Sequence, residues 1–133
     1  MSVMASRYAY FAGILALLLG GCWGSVAQEQ VYGRYVATYP FGKEVLTLKQ
    51  DGTYEQEFVI EGQSPVTTHG TWSFDAKERS RVTLREYTNM HAGFGKLNTN
   101  WQNEKPGIAS LSIVLEWFKV VMGQGGDFPY VKE

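Results

Sequence analysis

Cysteine is the scarcest resource of this 133-residue chain, which holds one. Neither a disulfide scaffold nor a zinc site built on paired cysteines is open to it. Excess charge of either sign is also missing. With 12 Lys+Arg against 13 Asp+Glu and no basic run, the chain lacks the electrostatic footprint of a nucleic-acid binder. Histidine is limited to His69 and His91, and neither has a second histidine or a carboxylate at a ligand-like close spacing, so no metal and no cofactor is implied. There is no nucleophile elbow and no metalloprotease helix. Gly123-Gln124-Gly125-Gly126 lacks the lysine and the strand–loop–helix setting of a phosphate loop and reads as a turn. What is present is 44% hydrophobic and 14% aromatic residues, the composition of a globular domain rather than a disordered one. At this length a single core buries about two-thirds of the unfolded surface, which leaves room for one domain.

The beginning of the chain reads as an address. One positive charge in residues 1–7 precedes an apolar or small-residue run over residues 8–19, the layout of a secretory signal. A membrane-spanning helix needs about 20 such residues, and Gly20-Gly21 interrupts this one. The competing reading is a retained anchor reaching Val26.

Leu19-Gly20-Gly21-Cys22 closes the run, and here the sequence resembles the bacterial lipoprotein signal with its lipobox. The resemblance implies cleavage before Cys22, a diacylglycerol on its thiol and acylation of the new amino group, palmitate-type chains that together make a stable membrane anchor. Trp23 stands where an aspartate would imply inner-membrane retention. The resemblance therefore implies outer-membrane sorting, facing the periplasm, in a cell with two membranes. The expected organisation is a signal peptide over residues 1–21, a lipidated cysteine and short tether over 22–30, and one domain over 31–133. The tether reaches at most about 29 Å, which keeps the domain near the bilayer.

Period-2 alternation and β-branched or aromatic content predict strands over residues 31–39, 44–49, 53–60, 66–74 and 81–87. Asp51-Gly52 is the best hairpin signal, since it supplies positive φ cheaply. In the third strand Tyr54, Gln56, Phe58 and Ile60 share one face; in the fourth Val66, Thr68, Gly70, Trp72 and Phe74 do; in the fifth Val82 and Leu84 point inward. Residues 75–80 form a charged loop. Residues 88–110 are polar and glycine-bearing, with room for a strand at 94–97. Residues 111–122 fit either one strand or one helical stripe, and their β-branched and aromatic content favours the strand. A turn at 123–127 and a last strand at 128–132, with Pro129 at its start or on an edge, complete an all-β chain. A meander of about seven to eight strands with one amphipathic face closes into a small antiparallel barrel, which removes its edges.

Gly33-x-Tyr35, Leu46-x-Leu48-x-x-Asp51-Gly52-Thr53-Tyr54, Gly70-Thr71-Trp72 and Val82-x-Leu84 resemble the lipocalin-like barrels of bacterial envelope lipoproteins, among them the amino-terminal barrel of the NlpE type. The likeness covers residues 31–87. That family carries an early Cys-x-x-Cys where residues 39–44 here have no cysteine, so its copper association does not carry over, and fold alone does not fix function.

An eight-stranded barrel is just wide enough to be filled by its own side chains or to hold one small ligand. The number of large rings favours filling. If there is a cavity, Tyr35, Tyr54, Phe58, Trp72 and Phe74 line it, with Gln56, Thr68 and Tyr54 as its polar contacts. Glu55 and Glu57 share a strand face at the roughly 6 to 7 Å of two residues, a spacing known from paired catalytic acids, but their outward face reads as solubility. The expected function is a non-enzymatic binding or interaction module, tethered to the membrane by its lipid, that meets a small apolar ligand or an envelope protein. The alternative is an inhibitor of a hydrolase such as lysozyme.

Overall fold

A computed structural model describes residues 23–77, 80–93, 95–123 and 128–133; Cys22 and the signal-like segment lie outside them. Alternating burial builds the sheet. In β4 (Thr53–Ile60) every second side chain, from Tyr54 to Ile60, is buried, because successive Cβ atoms of a strand point to opposite faces. The same rule turns Tyr35 and Ala37 of β2 (Gly33–Tyr39) and Leu46 and Leu48 of β3 (Gly42–Leu48) inward. β5 (Val66–Asp75), β6 (Arg81–Tyr87), β7 (Gly107–Glu116), β8 (Lys119–Met122) and β9 (Tyr130–Lys132) follow. Each pairs antiparallel with the next, and β9 pairs with β2, so β2 to β9 close an eight-stranded up-and-down barrel. The all-β barrel expected from the alternation is the observed fold.

The barrel has two unlike ends. At one, the chain enters through β1 (Trp23–Gly24), which pairs with β7 in the register Trp23↔Glu116 and Gly24↔Leu115. It lies beyond the end of β6, whose own ladder on β7 stops at Arg81↔Ser112. A one-turn helix, α1 (Gln28–Val31), then folds across the opening and sets Val26 and Val31 into the core. Tyr35 Oη donates to the Val31 carbonyl, and Lys132 Nζ donates to that of Gln30 at 2.6 Å. Residues 23–30, expected as a tether, are thus part of the folded domain, and Val31 belongs to the helical turn rather than to the first strand. The buried valines explain why: leaving this segment free would expose the core beneath it.

Three further differences are local. Residues 111–122 are not one strand but the end of β7, a two-residue turn at Trp117-Phe118 and β8, with φ of 48° and 66° at the turn. Two aromatics in the left-handed region give no sequence signal, since such hairpin loops ordinarily carry Asn-Gly. β7 also starts earlier than expected, at Gly107 within the polar stretch. Finally, the strand expected at 94–97 is reduced, among the described residues, to a single bridge between His91 and Leu97, with Phe94 undescribed. The expected turn at 123–127 falls mostly on residues 124–127, which are undescribed too.

Glycine is required at position 70. A Cβ there would run into the Arg85 carbonyl and within 2.6 Å of the Tyr54 ring. The close approach lets Tyr54 Oη reach across and donate to the Arg85 carbonyl at 2.7 Å. No helix among the described residues is long and apolar enough to cross a membrane.

Candidate functional site

The end opposite α1 is shaped by the long β6–β7 connection, residues 88–106. This segment is tied to itself by Asn98 N–H on the Met90 carbonyl at 2.8 Å and Ala92 N–H on the Lys96 carbonyl at 2.9 Å. It drives Met90 into a second cluster with Phe58 and Ile60, against which Trp101 packs. Beside this cap lies a cleft of about 190 Å³ lined by Tyr39, Tyr87, Asn89, His91, Leu111, Gly123, Phe128 and Tyr130. It is the mouth of the barrel.

The chemistry beneath the mouth centres on Glu44, a carboxylate only 1% exposed inside the barrel. Tyr39 Oη donates to its Oε2 at 2.8 Å and Tyr130 Oη to its Oε1 at 2.7 Å, while Gln56 Nε2 also donates to Oε1. Tyr87 and Tyr130 hydroxyls are 2.6 Å apart. Because the one hydroxyl proton of Tyr130 goes to Glu44, Tyr87 is the donor in that pair. Gln56 is held in turn by Thr68 Oγ1 on its Oε1 at 3.1 Å and by the Thr88 carbonyl on its Nε2 at 2.9 Å. Among the described residues no buried side-chain polar atom is left without a partner, as a stable interior requires.

Burial pushes the Glu44 carboxyl above its usual range, and the three donors oppose that rise without cancelling it. The carboxyl is therefore biased toward its neutral form, in which the proton sits on Oε2 and is donated to Tyr39 Oη, because Oε1 already accepts from Tyr130 and Gln56. Burial likewise raises Tyr39, Tyr87 and Tyr130, with the nearby Glu44 charge adding to it. The rim above them is aromatic. Tyr39 stacks on Phe41 at 4.9 Å and on His91 at 5.6 Å, and Phe128 meets Tyr39 at 5.2 Å and His91 edge-on at 5.0 Å. His91 Nε2 accepts from Gly95 N–H at 3.1 Å, which fixes the ring on the loop.

The seven ligand candidates named from the sequence divide. Gln56 and Thr68 sit in the Glu44 network, below the mouth. Tyr35 and Tyr54 are fully buried and spend their hydroxyls on backbone carbonyls; burial, then Glu86 and Glu44, pushes Tyr54 up to about 12. Trp72 and Phe74 are half-buried against the core, with the Trp72 indole donating to the Lys49 carbonyl at 2.7 Å. Phe58 packs under the loop, 6.3 Å from the Trp101 ring. These rings fill the barrel, and the cleft is lined by others. His69 is exposed, and Glu55 lies 3.7 Å from Lys49 in a surface ion pair. Among the described residues no group of histidines, cysteines and acids could hold a metal.

Sequence reasoning missed Glu44, Tyr39, Tyr87, His91, Phe128 and Tyr130 as a group. Glu44 and Tyr39 were accessible, since Glu44 is in phase with inward Leu46 and Leu48 and Tyr39 with inward Tyr35 and Ala37. Tyr87 was not: counted by twos from Val82 and Leu84, the inward position is Glu86. There a bulge intervenes, with φ of 59° at Glu86 and a register shift between Arg85 and Tyr87, and it turns the tyrosine in. Compared with protein-family models, curated proteins and solved structures, the chain matches none.

Proposed function

We propose that this protein is a lipid-tethered, non-enzymatic binding module of the bacterial envelope, anchored through Cys22 and taking a small ligand at the barrel mouth. The observation that carries the binding reading is the cleft itself. It combines an aromatic rim with a fully bonded polar floor, the usual make-up of a small-molecule site. Proton direction sets the ligand chemistry. Tyr87 donates to Tyr130 and Tyr130 to Glu44, so the Tyr87 oxygen keeps lone pairs to accept. A ligand with a flat or apolar body and one O–H or N–H donor complements the site. The anchoring part rests on the lipobox resemblance, and it fits a fold whose chain enters at the end away from the mouth.

The test is a thermal-shift screen of the full chain in detergent against small envelope-derived and apolar compounds. Stabilisation by a donor-bearing compound that is lost in Tyr87→Phe supports the reading. A panel that shifts nothing, together with inhibition of a muramidase in a turbidity assay, replaces the binder with a hydrolase inhibitor.

A further inference from the structure

The largest exposed apolar side chains among the described residues are Ile108, Trp117 and Phe118, at 73%, 69% and 91% exposure. Two of the three are adjacent and form the whole β7–β8 turn. Ile108 stands near the other end of β7, about 30 Å away by the rise of an extended strand.

The turn is also where the fold accepts backbone strain. Both residues are held at positive φ, a conformation that bulky side chains avoid and that glycine or asparagine adopts freely. Nothing in the hairpin demands aromatics there. Strained residues that the surrounding structure holds in place tend to mark function rather than folding need.

The position of the turn names its partner. Glu116, immediately before Trp117, is paired in the sheet with Trp23, and one peptide bond separates Trp23 from Cys22, the residue read as lipidated. Trp23, the first described residue, therefore lies beside the aromatic tip. We infer that Trp117 and Phe118 insert into the bilayer that receives the Cys22 lipid, so that the protein is held at two points and its mouth faces away from the membrane. This inference rests on the anchoring reading above. Tryptophan is suited to the headgroup region because its ring is amphipathic. The flanking Glu116 and Lys119 carry opposite charges, so the contact needs no anionic lipid.

The test uses the full chain, expressed in a bacterium, purified from its membranes and reconstituted into phosphatidylcholine vesicles with brominated acyl chains. Its intact mass is read first. The emission lost between wild type and Trp117→Phe reports Trp117, and bromine at headgroup-proximal depth is expected to lower that component relative to unbrominated vesicles. Phe118→Trp adds a second reporter and must gain quenchable emission, while Ile108→Ser must leave the quenching unchanged. An acylated Cys22 with tip emission that bromine does not touch overturns the insertion and leaves the anchor standing. An unmodified Cys22 overturns the anchor, and the insertion falls with it.

Discussion

Glu44 concentrates the energetic tension of the molecule in one side chain. Three hydrogen-bond partners meet this buried carboxyl, yet desolvation still dominates and raises its pKa. Linkage gives the sign. Below the ordinary value of 4.5 the group is protonated whether the chain is folded or not. As pH rises past that value the unfolded chain loses the proton first. Stability then falls, by at most about 1.4 kcal/mol per pH unit, until the folded carboxyl ionises as well. Glu44→Gln removes this descent, so the difference in Tm between variant and wild type should grow in the variant's favour between pH 4 and pH 7. A difference that stays flat would mean that Glu44 is ionised in the fold. Gly70 makes a second residue-scale prediction. Gly70→Ala forces the Arg85 carbonyl and the Tyr54 ring apart, and should cost about 1–3 kcal/mol in denaturant unfolding, the ordinary range for overpacking a filled interior.

Among the elements, the β7–β8 hairpin departs most from its local sequence rules. Trp117→Asn with Phe118→Gly places the residues that its backbone favours, and should raise stability by about 1–3 kcal/mol as the strain is relieved. A melting curve that moves down instead would show that the aromatic rings support the barrel. The same hairpin shows why part of the chain was illegible. Strands β2 to β6 could be read because Tyr54 to Ile60, or Leu46 and Leu48, alternate cleanly between loops marked by glycine, proline or charge. Residues 111–122 are mostly apolar and have two aromatics rather than glycine or asparagine at the bend, so their break into two strands carried no turn signature. The segment 23–31 was hidden in another way: α1 is one turn long, and its role comes from two valines that only the closed barrel can bury. Of the candidate site, Glu44, Gln56 and Tyr39 lie in phase with inward neighbours. Tyr87 was concealed by a bulge, and the remaining rim is assembled from residues as far apart as Tyr39 and Tyr130, which no local pattern connects.

Taken whole, the molecule is polar in the directional sense. The chain enters at one end, where Val26 and Val31 plug the barrel and the aromatic turn projects. The cleft above Glu44 opens at the other. A barrel built this way suits a protein that stands on a membrane and offers its mouth to the space beyond. The most direct test is native mass spectrometry of the full chain purified from bacterial membranes in mild detergent. The expected result is a chain cleaved before Cys22 and carrying acyl mass, with an additional small-molecule adduct that Tyr87→Phe diminishes. A chain without acyl mass, and with no adduct in either protein, would contradict both the anchor and the binding site.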